Sequence, residues 1–154
     1  MNGEQMTLQL AGKTAYVVGT PSAALFADFD DDGDGALEPG ELQAHRAAIL
    51  ERFEAGLRLR DDRGRRGRVV LRDVSHVHSH GGDEYVRITL HMRWEHKPNA
   101  LKLRYAYGRK APLQLLARRL TAASARSEQR PAGPVFHVDL SGAPKTHEIF
   151  GGVK

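Results

Sequence analysis

A short acidic segment constrains the fold of this chain more than any other feature of its sequence. Seven of the 19 Asp and Glu residues lie between Asp28 and Glu41, and none of the 23 Lys and Arg residues does. The rest of the chain is basic, which gives a net charge of +4. Closely spaced carboxylates are neutralised most simply by a bound cation. A cation site is therefore the first expectation for this segment.

The spacing of the acidic residues indicates calcium. Residues 30–41 read DDDGDGALEPGE and match the pattern D-x-[DN]-x-[DN]-G-x5-E at every specified position. Ca²⁺ is a hard cation that takes roughly six to eight oxygen ligands, and Gly35 permits the sharp turn that wraps the chain around it. The expected donors are the carboxylates of Asp30, Asp32, Asp34, Glu38 and Glu41 and the backbone carbonyl of Ala36.

A second frame through the acidic residues is rejected. Starting the pattern at Asp28 places Pro39 at the twelfth position, where a bidentate carboxylate is needed. In the frame that starts at Asp30, Glu38 falls at the N-cap of the following helix and Glu41 at its third position. This arrangement resembles a capping box with proline at the first helical position. Calcium coordination and helix capping thus favour the same frame.

Helical patterns flank the acidic segment on both sides. Thr20 followed by Pro21 predicts an N-cap and a short helix over about residues 21–29. A second helix is expected over about residues 39–55, with Gly56 as its stop. Apolar residues follow helical spacing in both helices: Leu25, Phe26 and Phe29 in the first, and Leu42, Ile49, Leu50, Phe53 and Leu57 in the second.

Residues 21–56 together resemble a single EF-hand, a helix, a twelve-residue calcium loop and a helix. The resemblance implies Ca²⁺ binding through the six donors named above. EF-hands usually pair through loop position eight, which is Leu37 here, but the sequence contains no evident second loop. We therefore expect the same chain, rather than a second copy, to cover the apolar stripes. A hand fixed in this way favours a structural calcium site over a sensor.

Alternating apolar and polar residues predict strands before and after the EF-hand. The clearest run is 85–94, and a strand pair at 7–18 turns at Gly12-Lys13. Further strands are expected at 57–60, 69–80, 101–107, 135–140 and 147–150. Residues 113–120 fit either a strand or a helix, and the neighbouring strands favour a strand. We predict one α+β domain over residues 1–154: the strand pair at 7–18, the EF-hand at 20–56 and an antiparallel β-sandwich at 57–154.

A second resemblance concerns most of the chain. An EF-hand followed by strands, with a Leu-Arg-Tyr strand at 103–105 and a Glu-Ile-Phe ending at 148–150, is similar to the extracytoplasmic region of some bacterial permease-like membrane proteins. This resemblance implies an accessory domain that faces the outside of the cell.

Histidines at alternate positions suggest a second metal site. His76, His78 and His80 share one face of an expected strand, and His91 lies on the next strand. Clustered imidazoles bind Zn²⁺, Ni²⁺ or Cu²⁺. An alternative hypothesis is therefore a transition-metal-binding accessory protein with a purely structural calcium ion. A solvent-facing polar stripe is the other interpretation.

A run of arginines surrounds the turn at 61–67. It consists of Arg58, Arg60, Arg63, Arg65, Arg66 and Arg68. A third hypothesis is an interaction module that docks a protein partner, a second copy of the chain or an anionic membrane surface through these charges. A solvated hairpin is the alternative. We expect no nucleic-acid partner, since no nucleic-acid-binding motif is present.

Several classes of protein are excluded by the sequence. The chain has no cysteine, no G-x-S-x-G, no phosphate-binding loop and no dinucleotide fingerprint, so we expect no enzymatic activity. No run reaches the roughly 20 apolar residues of a membrane span. The first ten residues do not resemble a signal peptide, but the compartment stays open between cytoplasmic and extracytoplasmic. The first hypothesis is a non-catalytic calcium-binding protein.

Overall fold

The computed structural model describes residues 5–31, 33, 39–78, 84–108, 113–120 and 135–150. Within them the chain forms a 3₁₀ helix at Ala23–Phe29, α1 at Pro39–Ala44 and α2 at Arg46–Gly56. The strands are β1 Gln5–Ala11, β2 Thr14–Gly19, β3 Leu57–Asp61, β4 Arg68–His78, β5 Glu84–Arg93, β6 Leu101–Tyr105, β7 Gln114–Leu120, β8 Val135–Asp139 and β9 Thr146–Ile149. The fold is therefore mixed, with more strand than helix.

The described strands form two sheets. Six strands join in the order β4-β5-β2-β1-β7-β8, and three join in the order β3-β6-β9. Every pair is antiparallel except β1 and β7, which run parallel, with Gln5 beside Gln114. The expectation of purely antiparallel strands is wrong for this pair. Parallel neighbours need a crossover connection, and the chain passes through the smaller sheet between β1 and β7.

The two sheets and the helices share one hydrophobic core. Residues that alternate along the strands are buried, among them Leu8 of β1, Val17 of β2 and Leu90 of β5 in the larger sheet. Leu59 and Leu103 enter the same cluster from the smaller sheet. The period-two pattern of the sequence thus predicts which side of β1, β2 and β5 faces the core, whereas Val70 and Leu71 of β4 are exposed.

The first predicted helix begins later than expected and is a 3₁₀ helix. Ser22, not Thr20, is its N-cap and accepts a hydrogen bond from the Ala24 N–H at 3.2 Å. Thr20 instead continues the strand pairing, because its N–H donates to the Gln5 carbonyl at 2.7 Å. Its hydroxyl accepts from the Gln5 N–H at 3.0 Å. Pairing with β1 therefore outweighs the capping preference of Thr20.

The second predicted helix is divided at one residue. α1 ends at Ala44, α2 begins at Arg46, and His45 between them has φ −111° and ψ 17°. α2 ends at Gly56, as predicted. Among the described residues, none of the helices has both the length and the hydrophobicity that crossing a bilayer requires.

The apolar stripes of the helical segment are covered within the same chain. Phe26, Ile49 and Phe53 have no exposed surface and belong to the core cluster that the sheets supply. Phe29 packs against the cluster and is partly buried. The described part of these stripes is thus buried without a second copy of the chain.

Gly56 provides a test of the junction between α2 and the smaller sheet. A Cβ atom at this position would lie 2.0 Å from Cε2 of Tyr107. The Tyr107 ring is held in place because its hydroxyl donates to the Arg52 carbonyl at 2.8 Å. We expect Gly56→Ala to lower the free energy of unfolding by about 1–3 kcal/mol in urea titrations.

Gly40 in α1 is the matched control, since nothing lies within 4 Å of a Cβ built there. Gly40→Ala should raise stability by up to about 1 kcal/mol through helix propensity. In the double variant Gly56→Ala/Tyr107→Ala, the loss in free energy of unfolding should be smaller than the sum of the losses in the two single variants. A Gly56→Ala protein with unchanged stability contradicts this description of the junction.

Candidate calcium-binding loop

The expected calcium ligands are only partly described. Asp30 and Glu41, the first and last ligands of the predicted loop, lie within the described residues, as do Asp31 and Gly33 between them. Four further expected donors lie outside the described residues, as does Leu37: Asp32, Asp34, Ala36 and Glu38.

The two ends of the acidic loop meet. The backbone N–H of Asp31 donates to Oε2 of Glu41 at 2.7 Å, so the carboxylate of loop position twelve lies against position two. Oδ1 of Asp30 is shielded from solvent at the same end of the loop. Gly33, between them in sequence, has φ +70°, a conformation that favours glycine. The first and last expected ligands are thereby brought to one end of the loop.

His45 joins the loop to the break between α1 and α2. Its Nε2 lies 3.0 and 2.9 Å from the two carboxylate oxygens of Asp31. Its ring stacks on Phe29 with centroids 5.1 Å apart. The non-helical backbone at His45 coincides with these two contacts to residues that precede α1. The helical pattern of the sequence does not single out His45, because it predicts one continuous helix through this position.

Arg52 of α2 binds the start of the loop from the other side. Its Nη1 and Nη2 donate to Oδ1 and Oδ2 of Asp28 at 2.5 and 2.7 Å. Its guanidinium also lies over the Phe29 ring, 4.5 Å from the centroid. The hydrogen bonds from Arg52 lower the pKa of Asp28 to about 2, and the same pair raises the pKa of Arg52.

The charges around the loop are divided in a consistent way. Asp28 and Asp31, the two described acidic residues between 28 and 41 that fall outside the predicted ligand set, bind Arg52 and His45 respectively. A guanidinium and an imidazole side chain therefore bind these carboxylates. Asp28, the first residue of the rejected frame, has both its oxygens in a bidentate bond to a guanidinium.

Polar contacts fix α2 to the edge strand β4. Arg72 Nε donates to Oε2 of Glu54 at 2.7 Å, and this bond raises the pKa of Arg72. Arg46 Nη2 donates to the Arg72 carbonyl at 2.8 Å and lies 3.6 Å from Oδ1 of Asp73. These exposed contacts supplement the buried apolar side chains that hold the helices to the sheets.

The strand register does not bring His91 to the other histidines of the predicted metal site. His76 lies opposite Val86 and His78 opposite Glu84, whereas His91 lies opposite Leu71. Val86 and His91 are five residues apart on β5, so they occupy opposite faces of the sheet. His91 is therefore not beside the register positions of His76 and His78. The side chains of those two residues, and all of His80, lie outside the described part of the chain, so that group stays a prediction.

Within the described residues, no group of three or more His, Asp or Glu side chains has the arrangement of a metal site. Asp30 and Glu41 belong to the described residues, whereas the other expected carboxylate ligands, Asp32, Asp34 and Glu38, do not. No protein-family model matches the chain, and a search of the curated proteins found no match. A functional proposal therefore depends on the geometry of the chain itself.

The Asp28–Arg52 pair predicts a specific dependence of stability on pH. Because the pKa of Asp28 falls from 3.8 to about 2 on folding, the ionised pair stabilises the protein above about pH 4. This contribution is lost as the pH falls through about 2. We expect Asp28→Asn to lower the urea midpoint of unfolding at neutral pH, and the difference from wild type to shrink steadily below pH 4.

Glu51→Gln is the control for this experiment, because Glu51 is an exposed residue of the same helix, α2. It removes the same formal charge and should leave the urea midpoint almost unchanged at every pH. An Asp28→Asn difference that is as large near pH 2 as at pH 7 would show that the ion pair is not its cause.

Proposed function

We propose that the protein is a non-catalytic calcium-binding protein whose EF-hand-type loop holds one Ca²⁺ ion. The observation that carries the proposal is the 2.7 Å hydrogen bond from the Asp31 N–H to Glu41 Oε2, which closes the loop end to end. In the predicted loop this closure brings the first ligand, Asp30, towards the last. The twelve-residue spacing alone does not require it.

The donor chemistry fits calcium. The residues that would hold the ion supply only oxygen atoms: Asp30, Asp32, Asp34, the Ala36 carbonyl, Glu38 and Glu41. Hard oxygen donors of this kind suit Ca²⁺, whereas Zn²⁺ and Cu²⁺ favour nitrogen or sulfur. When bound, the ion would neutralise carboxylates that otherwise repel one another. An unpaired loop of this type should bind with a dissociation constant on the order of 10⁻⁶–10⁻⁴ M.

The charge partners of the loop support the same ligand frame. Arg52 forms an ion pair with Asp28, and His45 lies within hydrogen-bond distance of Asp31, so both carboxylates outside the frame have side-chain partners on α2 and at the α1–α2 break. These contacts also tie the segments before and after the acidic loop to each other. We infer that they pre-position the loop and that calcium completes it.

The anchored helices favour a structural role over a sensing role. EF-hand sensors expose apolar surface when their helices open. Here Phe26, Ile49 and Phe53 are fully buried in the core that the sheets supply, so opening the hairpin would break that core. We propose that calcium stiffens this region without a large change of shape.

We also propose that the two sheets around the shared core form a sandwich.

Calcium calorimetry on matched variants tests the proposal. We expect wild type to bind one Ca²⁺ and Glu41→Gln to bind at least about tenfold more weakly, because it loses a charged bidentate ligand. Glu51→Gln removes an equal charge from the exposed surface of α2 and should bind as wild type does. Equal calcium heats from wild type and Glu41→Gln, or no heat from either, would overturn the proposal.

Thermal unfolding gives an independent prediction. Calcium at about 100 times its dissociation constant should stabilise the folded protein by about 2.7 kcal/mol. For a domain of this size that free energy raises the melting temperature by roughly 5–10 °C. Glu41→Gln should lose most of the rise and Glu51→Gln should keep it. A melting temperature that does not depend on calcium contradicts a stabilising ion.

A further inference from the structure

A second candidate site lies where the turn between β3 and β4 meets the end of β5. A cavity of about 460 Å³ is lined there by Arg65, Arg66, Arg68, Arg93, Trp94 and His96. We propose that this cavity, named here the arginine pocket, binds the phosphate groups of a small multiply charged ligand. The site is independent of the calcium loop and does not rest on the proposed function.

The turn that carries two of these arginines, Arg65 and Arg66, is held by hydrogen bonds. Asp61 is 3% exposed, and its Oδ1 accepts the N–H groups of Arg63 and Arg65 at 3.0 and 2.7 Å. The Asp61 N–H donates to the Arg65 carbonyl at 2.9 Å. Gly64, with φ +77°, takes the left-handed conformation that the turn requires. The backbone beneath the arginines is thus ordered before any ligand binds.

Trp94 fixes the turn to β5. Its indole N–H donates to the Arg65 carbonyl at 2.8 Å, and its side chain is almost completely buried. A Cβ atom at Gly67 would lie 2.9 Å from Cζ2 of this ring, so the turn packs closely on the indole. Trp94 is the only tryptophan of the chain and lines the pocket, which makes it a reporter for binding.

The arginine pocket has an excess of positive charge. Arg68 and Arg93 lie directly opposite each other on β4 and β5, a pairing of like charges that is normally unfavourable. Among the described residues, none of the four arginines forms a salt bridge. Asp61 lines the pocket too, but its buried carboxylate already accepts backbone N–H groups. Glu95 supplies the one other carboxylate of the lining.

This charge arrangement selects the class of ligand. Guanidinium groups bind phosphate oxygens through paired charge-assisted hydrogen bonds, and a ligand with several anionic groups can engage arginines from both strands at once. The volume suits a small molecule or a single headgroup. The shared chemistry is phosphate, carried either by a soluble compound or by an anionic lipid at a membrane surface.

Tryptophan fluorescence with pyrophosphate as the probe tests the site. We expect a saturable change in Trp94 emission that weakens at least about tenfold in Arg68→Ala/Arg93→Ala, since two charge-assisted contacts are lost. The control is Arg58→Ala/Arg104→Ala, which removes another directly opposed arginine pair, on β3 and β6, outside the pocket. The control should bind as tightly as wild type.

Additional measurements distinguish lost binding from a folding defect, and a soluble phosphate compound from a lipid headgroup. Arg65→Ala/Arg66→Ala keeps the backbone contacts of the turn and should also weaken binding, with circular dichroism as the check on folding. The titration uses calcium-free buffer and is repeated with sulfate in calcium-containing buffer. Vesicles of phosphatidic acid, with phosphatidylcholine vesicles as reference, test a lipid source, where binding must likewise depend on Arg68 and Arg93.

The outcomes decide the proposal directly. Pyrophosphate binding that depends on the pocket arginines supports a soluble ligand, and binding confined to phosphatidic acid vesicles with the same dependence supports a lipid headgroup. Equal affinity in wild type and Arg68→Ala/Arg93→Ala, or an equal loss in the Arg58→Ala/Arg104→Ala control, overturns it. So does the absence of binding to pyrophosphate, sulfate and phosphatidic acid alike.

Discussion

Closure of the acidic loop is the constraint on which the helices on either side of it depend. The hydrogen bond from the Asp31 N–H to Glu41 holds the two loop ends together at 2.7 Å. It sets the Glu41 carboxylate against the acidic segment that contains Asp30 and Asp31, and nearby negative charges repel one another unless positive charge is present. Arg52 supplies one positive charge through Asp28, and His45 lies within hydrogen-bond distance of Asp31. We propose that a calcium ion supplies the remainder.

Local sequence patterns predicted where strands form better than they predicted which strands lie side by side. The strand at 113–120, favoured over a helix because its neighbours are strands, is observed as β7 at Gln114–Leu120. Its position parallel to β1 was not predicted, because alternation reports which face of a strand is buried and not which strand lies beside it. The prediction of Thr20 as the N-cap of the first helix is wrong for a related reason, since Thr20 hydrogen-bonds to Gln5, fifteen residues away in the sequence.

The spacing of the acidic residues predicts Asp30 and Glu41 as the first and last ligands of one loop, and the hydrogen bond from the Asp31 N–H to Glu41 joins the ends of that loop. The contacts of His45 and Arg52 with Asp31 and Asp28 were not predicted, since they form only when α2 folds back beside the segment that precedes the loop. The expected proximity of His91 to His76 did not follow either, because pairing of His91 with Leu71 leaves it on the other face from Val86.

The most direct test of the central claim is a crystal structure of the protein grown in saturating calcium, with data collected where calcium scatters anomalously. We predict one anomalous peak among residues 30–41, about 2.3–2.6 Å from carboxylate oxygens of Asp30 and Glu41. A loop that contains no such peak, or in which Glu41 lies turned away from Asp30, would contradict the account.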